Sequence, residues 1–525
     1  MSNSIILGPA GTGKTRRLMD IFREEVASGT PANAITVVTF TRAATHEFQD
    51  RLAAEGIGRD DAPWVRTLHS AAYCLLGLDR SRVMNSKRWK EFCQEFSYEL
   101  TSGKDPDADD APFEPPKKTE DDVLRAALSW GRCRMMGVEE TIREIDEPRL
   151  DQEVFRRFCD RLDVFKSRGG LLEFSDFLSQ VLEHNLWPPS EVLIMDEAQD
   201  FAPIQIAVAE MWQKTHRRAW LAGDPDQAVY GFQGATSKWL VDCSERYPTE
   251  VLRQSYRVPR LAHGLAMRVI RQNMVRAKDV EYRPTPEEGK VWSADMTDAM
   301  GSVADIPLED TFILARNRMF FVEASKILRD QRVPFEVEGS GASSPYSKPT
   351  LIRAARAVVA LRKGKEISSG LLFDVLDRIP YVKDGILPWG IKEKIENLQR
   401  QAIGSGRMVE EFGLKRLVES VDKDGIMILS KEKRDDLEYL DDIAKRFGKI
   451  PDPKVRIMTI HGSKGREANR VFVLSDMTNA SHKSLFGSQE EYEGENRLAY
   501  VATTRTKKDL CIVRPMTRKF YNYPI

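Results

Sequence analysis

Short apolar runs alternate with amphipathic stretches along the first part of the chain. Ser4-Ile5-Ile6-Leu7 predicts a strand, and the stretch after Lys14, with Leu18, Ile21, Phe22 and Val26 on one face, predicts a helix. Ala34–Thr39 and Ala43–Ala54 repeat the pair. Such alternation predicts a parallel sheet covered by helices. From Gly77 to Ser175 the period becomes helical, and the acidic, proline-bearing run Asp105–Glu120 predicts a loop. Strand-like runs return at Glu191–Met195 and Arg218–Ala222, then at Thr311–Ala315, Pro334–Val337, Lys454–Ile460 and Arg470–Ser475, with a helix through Phe321–Arg329. Between Gly339 and Ile450 the chain is charged and helix-like, without clear strand alternation. The expected fold class is therefore α/β, with two parallel-sheet cores in tandem, each carrying a mostly helical insertion. Residues 1–76 and 176–255 are assigned to the first core and 77–175 to its insertion. Residues 256–339 and 451–525 are assigned to the second core and 340–450 to its shorter insertion.

Chemistry sits at the ends of these runs. The first strand leads into Gly8-Pro9-Ala10-Gly11-Thr12-Gly13-Lys14-Thr15, a gapless G-x-x-x-x-G-K-[ST] string between a strand and a helix. In that context backbone N–H groups cradle phosphates, Lys14 reaches the β- and γ-phosphates, and Thr15 can hold magnesium. The expected ligands are thus a nucleoside triphosphate and Mg²⁺. The strand ending at Met195 continues into Asp196-Glu197-Ala198-Gln199-Asp200. One acid can hold the cation while its neighbour orients or deprotonates the attacking water. The following strand ends at Gly223-Asp224-Pro225-Asp226-Gln227, where the Gln227 amide is placed to sense the γ-phosphate. Tyr230 and Phe232 beyond it offer flat faces for bases, although taken alone such residues are more often core aromatics.

Composition narrows the partners. A chain of 525 residues exceeds one compact core and predicts two to four domains, and 41% hydrophobic with 30% charged residues describes an ordinary folded protein. Lys and Arg number 79 against 80 Asp and Glu, so no global basic field exists and a polyanion must be met by a local groove. The six cysteines are scattered without a C-x-x-C pair, which predicts reduced thiols rather than disulfides or zinc. No apolar run is long enough for a bilayer and no secretory leader opens the chain, so a cytoplasmic protein without a membrane partner is expected.

Further segments complete a recognisable series. Thr39-Phe40-Thr41-Arg42-Ala43-Ala44 with Glu47-Phe48 and Arg51-Leu52 is similar to TFTxxAAxEMxxRL, and Thr67-Leu68-His69-Ser70 to TxHS. Glu173–Leu178 resembles the stretch ahead of the DEAQD box, and Leu252-Arg253-Gln254-Ser255-Tyr256-Arg257 resembles LxxNYR. Met458–Glu467 is similar to TxHxSKGLE, and Glu495–Lys507 to ERRLxYVAxTRAK. In content and order the set resembles the UvrD/Rep/PcrA branch of superfamily-one helicases. It covers both cores and neither insertion.

That resemblance implies two RecA-like cores, ATP hydrolysis with Mg²⁺, and 3′→5′ movement on single-stranded DNA with unwinding of 3′-tailed duplex. It implies Lys14, Asp196, Glu197, Gln227, Arg257 and Arg505 as catalytic groups, the two arginines as cations for the transferring phosphoryl group. Arg16 and Tyr256 flank the nucleotide, and Glu467 accepts from the ribose hydroxyls. Phe40, Thr41, His69, Tyr230, Phe232, Thr459 and His461 meet the DNA. His69 and His461 are expected to face solvent or DNA rather than a metal, because no other ligand type recurs at metal spacing.

The chain also departs from the family. Only Met1–Ser4 precede the first apolar strand residues, where family members usually carry the glutamine that recognises adenine, so a site shared between ATP and other nucleotides is an expectation. Gln233 replaces a common arginine, removing one backbone contact to DNA, and Arg466 replaces the leucine of SKGLE. With so little chain after Arg505, a fused nuclease domain is not expected. The shortened insertions leave a second reading open: a DNA-stimulated ATPase that serves as a switch or as the motor subunit of a larger complex, with a loading partner. A P-loop kinase would leave the ordered segments after Gly223 unexplained.

Overall fold

The computed structural model describes residues 2–101, 119–277, 280–339, 344–379, 387, 390–396, 398 and 401–525. The loop expected at Asp105–Glu120 lies outside them up to residue 118, and Glu120 already opens a helix capped by Thr119.

Six strands form the first sheet: β1 (Ser2–Leu7), β2 (Ile35–Thr39), β3 (Val65–Thr67), β4 (Val192–Met195), β5 (Arg218–Gly223) and β6 (Thr249–Val251). They run parallel in the order β3-β2-β4-β5-β1-β6. Both faces are buried because helices return each strand to the same direction. The pleat sorts the side chains: Val37 and Ile194 join Leu18, Phe22 and Phe48 on one face, while Val38, Leu193 and Met195 join Phe177, Val208 and Trp212 on the other. The first insertion has its own core of Trp89, Phe92, Leu128, Phe155 and Phe158.

The second sheet comprises β7 (Lys290–Ala294), β8 (Thr311–Ala315), β9 (Phe335–Val337), β12 (Val455–Thr459), β13 (Ala468–Leu474) and β14 (Thr506–Val513). Its order is β7-β14-β13-β8-β12-β9, again all parallel. A two-stranded antiparallel pair, β10 (Ile367–Ser368) and β11 (Ala402–Ile403), lies in the otherwise helical second insertion. Among the described residues that insertion has no separate core. Its Leu351, Val358, Leu417 and Tyr439 belong to one buried cluster with Ile313, Phe335, Ile457 and Phe472 of the sheet.

The chain divides into two compact units, Met1–Glu288 with Gly487–Thr504, and Gly289–Phe486 with Arg505–Ile525. These limits differ from the sequence division at 255/256 and from a second core holding all of 451–525. The physical reason is hydrogen bonding. The Tyr256 amide donates to the Gly11 carbonyl at 2.8 Å, and the Tyr282 hydroxyl donates to the Ala10 carbonyl at 2.8 Å. The helix Gln489–Thr503 is tied to the same unit through Asn273, whose amide donates to the Glu493 carbonyl at 3.0 Å and accepts from Asn496 at 2.8 Å.

Candidate nucleotide and nucleic-acid site

The phosphate loop leaves β1 and enters the helix Lys14–Ala27 through Gly13, whose φ of 85° places it in the left-handed region. No side chain among the described residues caps this helix, so its first N–H groups stay available to an anion at the positive end of the helix dipole. Gly11, with φ 74°, is needed for space as well: a Cβ there would stand 2.5 Å from the Arg257 Cβ. Lys14 Nζ donates to the Gly8 carbonyl at 2.8 Å, folding the ammonium over the loop. Three hydroxyls brace the loop from outside. Ser255 and Tyr282 both donate to the Ala10 carbonyl, Ser255 at 3.0 Å, and the buried Tyr500 hydroxyl is hydrogen-bonded by the Ala10 backbone.

The carboxylates follow the carboxyl ends of β4 and β5, where parallel sheets place their ligands. Asp196 is buried, accepts from the Glu197 amide at 2.9 Å, and lies 3.4 Å from the Thr15 hydroxyl. Burial, then the neighbouring Glu197 charge, push its pKa up to about 7 against the pull of Lys14. The Thr15 hydroxyl and the Asp196 carboxylate are thus an oxygen pair suited to Mg²⁺, with the Lys14 ammonium adding positive charge beside them. Glu197 holds φ 54°, unusual for a non-glycine residue and typical of strained functional positions. Gln199, fully buried, ties the two strand ends together: its amide donates to Glu197 and to Asp200, and its carbonyl accepts from the Asp224 amide at 3.0 Å. Asp224, raised to about 6 by burial and then by Asp226, accepts from the Gln227 amide at 2.6 Å.

The raised Asp196 has a thermodynamic consequence. Between its ordinary value of 3.8 and its folded value near 7, the native protein keeps a proton that the unfolded chain has lost, so stability falls as pH rises through that window. Asp196→Asn keeps an acceptor for the Glu197 amide and removes the buried charge. The variant is expected to melt a few degrees above wild type at pH 8, with the gap closing toward pH 4. Thermal denaturation across that range checks it; a variant melting no higher at pH 8 would contradict the buried-charge account.

The remaining sequence-derived residues fall into two groups. In the first unit, Tyr256 is 77% exposed beside the phosphate loop, Arg257 packs its Cβ at Gly11, and Arg16 is exposed on the helix. In the second unit, Arg505 is buried with a guanidinium N–H donating to the Arg466 carbonyl at 3.3 Å, and Glu467 pairs with Lys507 at 2.8 Å. The expected DNA contacts differ in exposure. Phe232 is exposed, whereas Tyr230 is buried and stacked on Phe40 at 5.0 Å. Thr41 caps the helix Arg42–Ala54, and Thr459 accepts from the Gly462 amide at 3.1 Å. His69 and His461 are buried rather than facing solvent, and His69 lies edge-on to Phe174 at 6.3 Å. Gln233 ends the turn Gly231–Gln233, whose Gly231 carbonyl accepts from Arg134 of the first insertion at 3.1 Å.

Sequence reasoning missed Gln199, Ser255, Tyr282, Tyr500 and Asp224 as parts of this site. Gln199, Ser255, Tyr500 and Asp224 stand inside motif strings, and their place in those strings was the available signal. Tyr282 had none.

A phosphate loop after one parallel strand, with paired carboxylates after the strands beside it, defines a P-loop nucleoside triphosphatase, and the two parallel six-stranded sheets are RecA-like domains in tandem. Residues 1–248 match the UvrD/REP helicase N-terminal domain, and residues 391–515 match the UvrD-like helicase C-terminal domain. The chain belongs to the UvrD-like DNA helicases. It is 26% identical to the ATP-dependent DNA helicase UvrD2 of Mycobacterium tuberculosis (strain ATCC 25618 / H37Rv), over 98% of this chain and 76% of that protein. Identity is 22% to the ATP-dependent DNA helicase UvrD1 of Mycobacterium leprae (strain TN), over 99% of this chain and 82% of the relative. It is 25% to the ATP-dependent DNA helicase PcrA of Leuconostoc citreum, over 51% and 37%.

Proposed function

We propose that this ATP-dependent DNA helicase is a cytoplasmic, Mg²⁺-dependent motor that moves 3′→5′ on single-stranded DNA and separates 3′-tailed duplex. The observation that carries the proposal is the convergence of Lys14, Thr15 and Asp196, with Glu197 adjacent in the chain. Thr15 and Asp196 would hold Mg²⁺, which when bound neutralises charge on the triphosphate. Lys14 exchanges the Gly8 carbonyl for phosphate oxygens, Glu197 takes the proton of the attacking water, and Gln227 reports on the γ-phosphate through its bond to Asp224. Arg257 and Arg505 are the proposed cations for charge developing on the transferred group. Arg16 and Tyr256 flank the nucleotide, and Glu467 binds its ribose. Phe40, Thr41, His69, Tyr230, Phe232, Thr459 and His461 serve the strand, the exposed Phe232 by stacking and the buried ones by shaping the surface beneath it.

A second reading has support in the core. Because the second insertion shares its buried cluster with the sheet, it is built as an extension of that domain rather than as an accessory body with a core of its own. This favours a switch, or a motor subunit that requires a loading partner. Strand displacement by the isolated chain on 3′-tailed, 5′-tailed and blunt duplexes separates the readings. The motor predicts displacement only from the 3′ tail. Single-strand-stimulated hydrolysis with no displacement selects the switch, and displacement from the 5′ tail rejects the polarity.

A further inference from the structure

The first insertion reaches back onto the first core through a single guanidinium. Its helix Glu120–Cys133 buries Leu124, Ala127 and Leu128 in the insertion's own core. Arg134 follows at the carboxyl end of that helix, where a cation complements the dipole. The guanidinium lies over the Trp130 ring, 4.0 Å from its centroid, and donates to the Trp130 carbonyl at 3.2 Å, which fastens it to its own helix. From there it donates to the Gly231 carbonyl at 3.1 Å and to the Phe232 carbonyl at 3.4 Å.

These two carbonyls belong to the peptide groups on either side of Phe232. Because each peptide group is planar, fixing both fixes the backbone dihedrals of Phe232 and so the direction of its side chain. The turn Gly231–Gln233 has need of such a hold. Glycines bound its exposed aromatic, Gly231 before it and Gly234, with φ 88°, just after the turn, and glycine is the residue with most backbone freedom to lose. Gly234 also makes room for the arginine: a Cβ there would stand 3.1 Å from the Arg134 Cγ and 3.3 Å from its Cζ. The turn carries no charged side chain of its own. Held in this way, the Phe232 ring stands edge-on to Tyr230 at 6.1 Å and keeps a face open.

We propose that Arg134 is a positioning residue for strand binding: through its fork on the Gly231 and Phe232 carbonyls, the first insertion holds Phe232 in the orientation on which a base stacks. Arg134 acts on the strand only through Phe232. Its hydrogen bonds are spent on three main-chain carbonyls and one of its faces on Trp130. The gain is preorganisation, since an aromatic already held in place loses less conformational freedom when a ligand packs on it. The first insertion is thereby part of the strand-binding device of the first core. The inference rests on the reading of this chain as a single-strand-binding motor.

Equilibrium binding of a fluorescent single-stranded oligonucleotide across a salt series tests it, comparing wild type, Arg134→Ala, Arg134→Lys, Phe232→Ala and the double variant Arg134→Ala/Phe232→Ala. Arg134→Ala and Phe232→Ala are each expected to bind more weakly on the order of tenfold, the scale of one lost base stack. The double variant should be no weaker than Phe232→Ala, because residues that act as one unit do not add. The slope of log affinity against log salt should stay that of wild type, since no phosphate contact is lost. Lysine is a point charge on a flexible stem and cannot fork two carbonyls while stacking on Trp130, so Arg134→Lys should bind like the alanine variant. If Arg134→Ala melts well below wild type, the same cycle run with Arg134→Lys decides the question. Arg134→Ala or Phe232→Ala binding like wild type overturns the inference and leaves the motor reading intact, and so do losses that multiply in the double variant. A slope flattened by about 0.7 in Arg134→Ala would make the arginine a phosphate ligand, and full binding by Arg134→Lys would make its charge sufficient; either overturns positioning through the fork. Wild type failing to bind the strand overturns the motor reading as well.

Discussion

Lys14→Ala is expected to lower ATP turnover by about 10³ or more. The loop itself should survive, because Gly11 and Gly13 set its shape, and Ser255 and Tyr282 hold the Ala10 carbonyl independently of the lysine. What disappears is the cation that both buried acids feel: Lys14 draws down the pKa of Asp196 and of Asp224 against the burial that raises them. Without it both acids shift further toward the protonated form, so the variant loses a phosphate ligand and part of the negative charge that attracts the metal. Steady-state hydrolysis with saturating single-stranded DNA measures the loss, and a normal melting temperature shows that folding is intact. Turnover within tenfold of wild type would remove Lys14 from the chemistry.

The parts of the fold most legible in the sequence are those with a strong period. β1, β2, β4, β5, β8, β12 and β13 are apolar runs buried on both faces, and the sequence places each to within a residue or two. β3 and β6 escaped because each is three residues with a single apolar side chain, Val65 and Val251, whereas the equally short β9 shows itself by Phe335 and Val337 on one face. β14 escaped for a different reason: its first half, Thr506–Asp509, is polar and partly exposed, and only Leu510–Val513 is fully buried. The catalytic strings were legible because phosphate chemistry demands particular residue types at fixed spacing. The unit boundary was not, since Tyr282 and the helix Gln489–Thr503 join the first unit through hydrogen bonds between residues far apart in sequence. Burial was equally hidden. His69 reads as a solvent- or DNA-facing group in a motif, yet tertiary packing covers it, and of the paired aromatics, either of which suits a core, Tyr230 is buried while Phe232 stays open.

Glu197→Gln is expected to retain ATP binding and to slow hydrolysis by about 10²–10⁴, the range in which a positioned general base contributes. The substitution is a clean one here. A glutamine carbonyl can still accept from Gln199, the backbone bond from residue 197 to Asp196 is unaffected, and the left-handed backbone burdens both residues alike. Removing the charge has a second effect of known sign. Glu197 is the largest charge raising Asp196, so the variant's Asp196 should ionise at lower pH than in wild type, and divalent-cation affinity should hold to lower pH. The pair of results separates two roles. A base that also perturbs its neighbour gives slow turnover together with the acid-side shift, measured by single-turnover hydrolysis and by cation titration from pH 5 to 8. Unaltered turnover with the shift present would leave Glu197 as an electrostatic neighbour and move proton abstraction to another group.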